Sequence, residues 1–159
     1  HNLYIPAGGD EPDVVKNPKF NHKISFLDEL FSIYEAKNKN LLLCGDFNIA
    51  PLEDDVWSHK QLLNVVSHTP IETETLSDII SSGEWVDVMR EIIPHHEKLY
   101  SWWSYRNRNW ELSNRGRRLD HVWVSKKLFP QVKSGVIYKE TRSWERPSDH
   151  VPIIIDIDI

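Results

Sequence analysis

Asp149 and His150 stand side by side in the run Glu145-Arg146-Pro147-Ser148-Asp149-His150-Val151-Pro152, at the mouth of a final apolar stretch, Val151 to Ile157. A carboxylate next to an imidazole can hold a divalent cation with one group and take a proton with the other. An Asp-His dipeptide is also a common N-cap or solvated turn, so the chemistry depends on partners elsewhere in the chain. Asp46 and Asn48 follow the apolar run Leu41 to Gly45. They are two apart, so an extended backbone points both to one side. They offer hard oxygens and an amide donor to a metal-assisted phosphate reaction, or they close the strand as an Asx-turn. Asp120 lies at the start of the apolar stretch Leu119 to Val124, where an acid costs desolvation unless it is paired. His150 is a natural partner, because the carboxylate would fix the tautomer of the imidazole and raise its basicity.

A second group of residues suits binding. Tyr100, Trp102, Trp103 and Tyr105 place four aromatics within six positions. In a strand, Trp102 and Ser104 share one face and Trp103 and Tyr105 the other. Trp103 is expected in the core, while Trp102 is either core or a stacking platform for bases or sugars. Arg106, Arg108, Arg115, Arg117 and Arg118 then oppose a single acid, Glu111. This is the one strongly basic stretch of the chain. It is either a solvated face or a set of guanidinium forks for phosphate oxygens.

The elements that must position these residues read as a mixture of strands and helices. Leu3-Tyr4-Ile5 reads as an interior strand, and Pro6 to Pro12 as a turn-rich loop. Asn17-Pro18 reads as an N-cap followed by Pro at the first helical position. Phe20, Ile24, Leu27, Phe31 and Tyr34 make the apolar face of the helix, which Lys37-Asn38-Lys39-Asn40 ends. Leu41 to Gly45 is continuously apolar, as in a sheet covered on both faces. Thr69-Pro70-Ile71-Glu72 is a capping box that opens a helix through Leu76, Ile79 and Ile80 to Gly83. Trp85 to Met89 is a short apolar piece of open type. Leu99 to Tyr105, Leu119 to Val124, Val132 to Tyr138 and Val151 to Ile157 read as strands. The mixture implies a layered α/β domain with helices packed on a sheet.

The bulk numbers set limits. The 159 residues fit one domain, and an apolar content of 40% suffices for its core. A net charge of −5 gives no global basic field for nucleic acid, so any such binding must be local. The single Cys44 excludes an internal disulfide and reads as a buried structural thiol. No run of about 18 apolar residues is present to span a membrane. No signal peptide is visible, and a cytoplasmic protein is expected. The chain opens on His1-Asn2 without an initiator Met, so it is expected to start inside a larger domain.

Five motifs in order carry a family resemblance: Asn2-Leu3-Tyr4-Ile5-Pro6, Gly45-Asp46-Phe47-Asn48-Ile49-Ala50-Pro51, Ser101-Trp102-Trp103, Asn114-Arg115-Gly116-Arg117-Arg118-Leu119-Asp120 and Ser148-Asp149-His150-Val151-Pro152. Over essentially its whole length the chain resembles the exonuclease III and AP endonuclease family of the endonuclease/exonuclease/phosphatase superfamily. The resemblance implies a four-layer α/β sandwich (DNase I-like), of which residues 1–159 would form the end of the first half and all of the second. It implies Mg²⁺-dependent hydrolysis of DNA phosphodiesters in base-excision repair, with Mn²⁺ as an alternative ion. The activities would be 3′–5′ exonuclease on double-stranded DNA and cleavage of abasic-site DNA, by a monomer. Tyr4, Asp46, Asn48, Asp120 and His150 would be catalytic, and Asp46, Asn48, Asp149 and His150 would lie at the metal. Trp102 would wall an abasic-sugar pocket, and Arg106, Asn114, Arg115, Arg117 and Arg118 would meet DNA. The family's early Asn and metal-binding Glu would precede Tyr4. Ala7 stands where many relatives carry a polar residue, and Ser104 where an acid is common. The competing readings are another phosphodiesterase or phosphatase of the superfamily, and an inactive fragment that only binds DNA.

Overall fold

The computed structural model describes residues 1–33 and 39–158. Tyr34, Lys37 and Asn38, read above as parts of the first helix and its end, lie outside the described residues. The chain runs through β1 (Asn2–Tyr4), α1 (Pro18–Ile33), β2 (Leu42–Asp46), α2 (His59–Leu62), α3 (Pro70–Ser82), β3 (Trp85–Asp87) and α4 (Val88–Ile92). It continues through β4 (Trp102–Trp103), α5 (Trp110–Ser113), β5 (Gly116–Arg117), β6 (Asp120–Ser125), β7 (Val132–Ile137) and β8 (Ile153–Ile157).

β1, β2, β6 and β3 form one sheet in that order, with β1 parallel to β2 and the other pairs antiparallel. Among the described residues β1 is the outermost strand of this sheet on the β2 side. Its close approach needs Gly45, whose φ of +139° and bare Cα leave room for the Leu3 carbonyl where a Cβ would stand 1.9 Å from it. Alternation along β2 and β6 sends Leu43 and Trp123 to one face and Leu42, Cys44, Val122 and Val124 to the other. Leu27 and Leu30 of α1 and Leu76 and Ile79 of α3 cover the first face. Val132, Ile153, Ile155 and Ile157 of the β7–β8 pair cover the second, together with Val88 of α4. Both faces of β2 are thus covered, Leu43 fully and Leu42 and Cys44 in part. The result is a layered α/β sandwich: helices, a sheet, then a second sheet. Among the described residues no helix is long and apolar enough to cross a membrane.

Local signals account for the helix starts. The Asn17 side chain accepts from the Lys19 amide at 3.0 Å and Pro18 takes the first helical position. At α3 only half of the expected box forms. Glu72 accepts from the Thr69 amide at 3.1 Å, but the Thr69 hydroxyl donates to Glu72 at 2.6 Å instead of capping. Glu72 is buried and also serves Lys23 of α1, at 2.5 Å.

Two expectations change. Within Leu99 to Tyr105 only Trp102 and Trp103 form a strand, paired with Arg117 and Gly116 of β5. Neighbouring amides bond elsewhere: Leu99 donates to the Asp54 carbonyl and Trp103 to that of Asp149. From Ser104 the chain turns, with the Asn107 amide on the Ser104 carbonyl at 3.1 Å. The Trp85 to Met89 piece is of two types, a strand that passes directly into α4.

Candidate active site

The sheet ends where its strands deliver polar residues. Tyr4 ends β1, Asp46 ends β2, and Asp120 begins the antiparallel β6, so the register places Tyr4, Asp46 and Asp120 on one row. Tyr4 is 64% exposed. His150 reaches this edge from the loop before β8. That loop is sewn to β4 by the Trp103 amide on the Asp149 carbonyl (2.9 Å) and the Val151 amide on the Ser101 carbonyl (2.8 Å).

These strand ends bring the acid–base groups together. His150 Nδ1 lies 2.8 Å from Asp120 Oδ2, and its Nε2 lies 4.0 Å from Asp46 Oδ2. A carboxylate accepts, so Nδ1 carries the proton and Nε2 is left with a lone pair facing Asp46. Ser101 donates to the same Asp120 oxygen at 2.7 Å and accepts from the Leu119 and Asp120 amides, each at 3.0 Å. Burial works against the charged His150 imidazolium, but the hydrogen bond and charge of Asp120, with Asp46 and Asp149 behind it, raise its pKa above the ordinary value. Burial raises the Asp46 carboxyl above its usual range. The Asn48 amide opposes that shift, and the Asp120 charge adds to it.

Asp46 and Asn48 do not lie in an extended segment. Asn48 has φ of +53°, and its amide donates to Asp46 Oδ1 at 2.9 Å, which is an Asx-turn. The turn and the site coexist, because the turn leaves the other Asp46 oxygen toward His150. Asn48 Nδ2 donates to the Ile5 carbonyl at 2.8 Å and to Asp46 Oδ2 at 3.2 Å, so this amide is held rather than free.

Asp46, Asp120 and His150 each present one ligand atom, all within 4.8 Å of one another. Two carboxylates and an imidazole lone pair suit a hard divalent ion, whose charge would relieve the repulsion between the acids. Asp149 is not in this group. Its Oδ2 accepts from Trp102 Nε1 at 2.9 Å, which orients the indole. Beyond His150 opens a groove of about 840 Å³, lined by Trp102, Arg106, Arg115, Arg117 and Asn48 among others.

One residue expected at DNA is placed elsewhere. Arg118 is 0% exposed and bonds Asp55 (2.9 Å) and Asp87 (2.7 Å). Asp55 also holds Arg90. Burial disfavours a charged Arg118, and the two acids outweigh it, so it is a core ion-pair residue. Asn114 caps α5 in the left-handed region and accepts from Trp103 Nε1 at 3.1 Å, and it is exposed between the groove-lining Ser113 and Arg115. Trp103 is buried as expected.

Other residues had been given no role. Ser101 is one. Lys23 is another: fully buried, it donates to the Asn48 carbonyl at 2.8 Å and so braces the Asx-turn. Its signal was present as a lysine on the apolar face of α1, between Phe20 and Ile24. Trp57, beneath Arg115 at 4.6 Å, carried no sequence signal.

Known proteins resemble this chain in sequence and in fold. The model of the endonuclease/exonuclease/phosphatase family matches residues 9–150. Exodeoxyribonuclease III of Haemophilus influenzae is 30% identical over 158 residues, covering 96% of this chain and 58% of the relative. The DNA-(apurinic or apyrimidinic site) endonuclease of Dictyostelium discoideum is 30% identical over 99% of this chain and 42% of its own length. Among solved structures, an AP endonuclease from Archaeoglobus fulgidus superposes with a TM-score of 0.90 at 26% identity, over 99% of this chain and 60% of that one. The 3′ phosphatase NExo from Neisseria, bound to a product DNA hairpin, gives 0.88 at 26% identity with the same coverage. The chain thus spans between 42% and 60% of the length of these relatives.

Proposed function

Because this chain belongs to the endonuclease/exonuclease/phosphatase family, we propose that it carries the acid–base centre of a divalent-metal-dependent nuclease that hydrolyses DNA phosphodiesters in repair. The activities are trimming of duplex 3′ ends and incision at abasic sites. The observation that supports this best is the Asp46–Asp120–His150 group at the head of a groove walled by Trp102 and guanidinium groups. The names of the Haemophilus and Dictyostelium relatives and the DNA in the Neisseria structure favour DNA over other phosphate esters.

The roles follow from the atoms. Asp120 keeps the His150 proton on Nδ1, so that Nε2 can take a proton from the attacking water or hold the ion. Asp46, with its pKa raised, can exchange a proton with a reacting or leaving oxygen. Asn48, held by Ile5 and Lys23, and the exposed Tyr4 lie where the phosphate would rest. Asp46, Asp120 and His150 would hold Mg²⁺, with Mn²⁺ as a substitute, and Asn48 stands beside them. Such an ion supplies Lewis-acid charge to the phosphate oxygens. Trp102 would receive a base or a base-free sugar, and Arg106, Arg115 and Arg117 would meet phosphates. His150→Ala is expected to abolish cleavage of abasic duplex DNA while leaving DNA binding largely intact. Near-wild-type cleavage by that variant overturns the assignment, as would preferred cleavage of a phosphoinositide over DNA.

A further inference from the structure

Arg117, Trp102 and His150 occupy one cross-strand row. Trp102 is the register partner of Arg117 between β4 and β5, and it bridges His150 on its other side. Directly opposed residues share a face of the sheet, with about 5 Å between neighbours. Arg117 therefore starts about 10 Å from His150 along the floor of one groove, with the Trp102 indole between them.

The guanidinium itself is unusual in its company. It lies 5.6 Å from the centre of the Trp102 ring. Its NH1 donates to the Val66 carbonyl at 3.1 Å and to Ser67 Oγ at 2.7 Å. Its Nε and NH2 make no hydrogen bond, and no carboxylate pairs with it, among the described residues. Arg118, its chain neighbour, is by contrast saturated by Asp55 and Asp87. The one acid lining this groove is the exposed Asp10. Arg117 is half-buried, and Glu72, the carboxylate whose charge reaches it, is already held by Lys23, so its unmet charge favours an arriving anion. The fixed NH1 orients the remaining edge of the fork, the edge that suits two oxygens of one phosphate.

We propose that Arg117 forms a subsite for a second phosphate of the DNA strand, one nucleotide removed from the phosphate that reacts at His150, with the intervening nucleoside on Trp102. This rests on the reading of the site as a DNA phosphodiesterase. It separates Arg117 from the exposed Arg106 and Arg115. The enzyme then recognises a nucleotide flanked by two charges, not an uncharged sugar alone.

The test removes the charge from the substrate. Duplexes carrying a single methylphosphonate, which is uncharged, one nucleotide to the 3′ or the 5′ side of the scissile phosphate are compared with natural DNA. A third substrate ends in a 3′-phosphate, which separates a terminal from an internal source of the charge. Wild-type protein is expected to lose about 10- to 100-fold in kcat/KM at one methylphosphonate position, the scale of a charge-assisted pair of hydrogen bonds. Arg117→Leu is expected to lose a similar factor on natural DNA and to be indifferent to the same methylphosphonate. Arg117→Lys, which keeps the charge, is expected to retain a smaller penalty at that position. Anisotropy with the same duplexes and His150→Ala protein, without metal, reads the subsite apart from the reaction. A binding penalty without cleavage by wild type refutes the nuclease and leaves the subsite. Wild type that shows no penalty at any position, or Arg117→Leu that keeps the full penalty, overturns the subsite.

Discussion

Nδ1 of His150 lies 2.8 Å from Oδ2 of Asp120, and Ser101 Oγ donates to that same oxygen at 2.7 Å. One carboxylate oxygen thus fixes the imidazole while being fixed itself by a buried hydroxyl that also accepts two backbone amides. Asp120→Asn is near-isosteric but offers an N–H or a weaker acceptor, so the proton no longer stays on Nδ1. Turnover is expected to fall on the order of 10³-fold, with DNA affinity little changed. Ser101→Ala should fall less in rate but should also lower stability, because two amides lose their acceptor. Single-turnover cleavage and thermal melting of both variants check the pair. Equal rates for Asp120→Asn and wild type would sink the assigned tautomer.

The metal group predicts its own readout. An ion bound by Asp46, Asp120 and His150 stabilises the fold by mass action, so Mg²⁺ should raise the Tm and chelator should reverse the rise. Asp46→Asn should blunt the shift and slow turnover. Asp149→Asn is expected to leave much of the shift, because its carboxylate serves Trp102. The reverse order of effects would move the ion to Asp149.

Lys23 ties the scaffold to the site. Its ammonium meets Glu72 at 2.5 Å and the Asn48 carbonyl at 2.8 Å, all within a buried region. Burial alone lowers its pKa, and Glu72 acts against that. Lys23→Met leaves the Glu72 charge unpaired and is expected to cost about 3–5 kcal/mol. The double variant Lys23→Met, Glu72→Gln should recover part of this loss in urea unfolding. Its turnover should remain depressed, because the Asx-turn has still lost its brace. Full recovery of rate would show that the contact with Asn48 has no positioning role.

Much of this site could be read from the chain, because acids at the ends of apolar strands are costly without a purpose. Asp120 stands out that way, with His150 beside Asp149 as its natural partner, and Asp46 and Asn48 stand out as polar groups delivered at the end of an apolar run. The separation of Arg117 from Arg118 could not be read. Neighbours in an extended segment face opposite ways, and only the pairing of Arg117 with Trp102 decides which one meets solvent. The acid that buries Arg118 is Asp55, 63 residues earlier, a distance no local spacing reports. The strand expected over Leu99 to Tyr105 was too long for a related reason. Its amides are satisfied by scattered loop carbonyls, and periodicity cannot distinguish that from a ladder.

His121 should make the fold acid-sensitive. It is fully buried, its Nε2 donates to the Ile49 carbonyl at 2.8 Å, and its pKa is lowered to about 4, by burial first and then by Arg118. The neutral form is the folded one, while the unfolded chain takes up the proton near pH 6.5. Its contribution is therefore fully present above about pH 6.5 and is lost as pH falls toward 4. At most about 3 kcal/mol is at stake. His121→Gln, which can still donate to Ile49, should be less stable at neutral pH but flatter between pH 6.5 and 4. Urea midpoints across that window check it, and an unchanged slope in the variant would rule His121 out.

The basic stretch divides into surface and core, and the two parts should respond oppositely to mutation. Arg106 and Arg115 are exposed at the groove, whereas Arg118 is sealed between Asp55 and Asp87. Arg106→Ala or Arg115→Ala should leave the melting temperature within a degree or two, as surface changes usually do. Each should weaken DNA binding and reduce the slope of log affinity against log salt by about one unit. Arg118→Ala leaves Asp87 without its partner and Asp55 with Arg90 alone, and should cost about 3–5 kcal/mol of stability. The salt slope of its folded fraction should be unchanged, because no phosphate reaches it. Binding titrations at several salt concentrations, run beside melts, separate these outcomes. A reduced salt slope for Arg118→Ala at full stability would return that residue to the DNA surface.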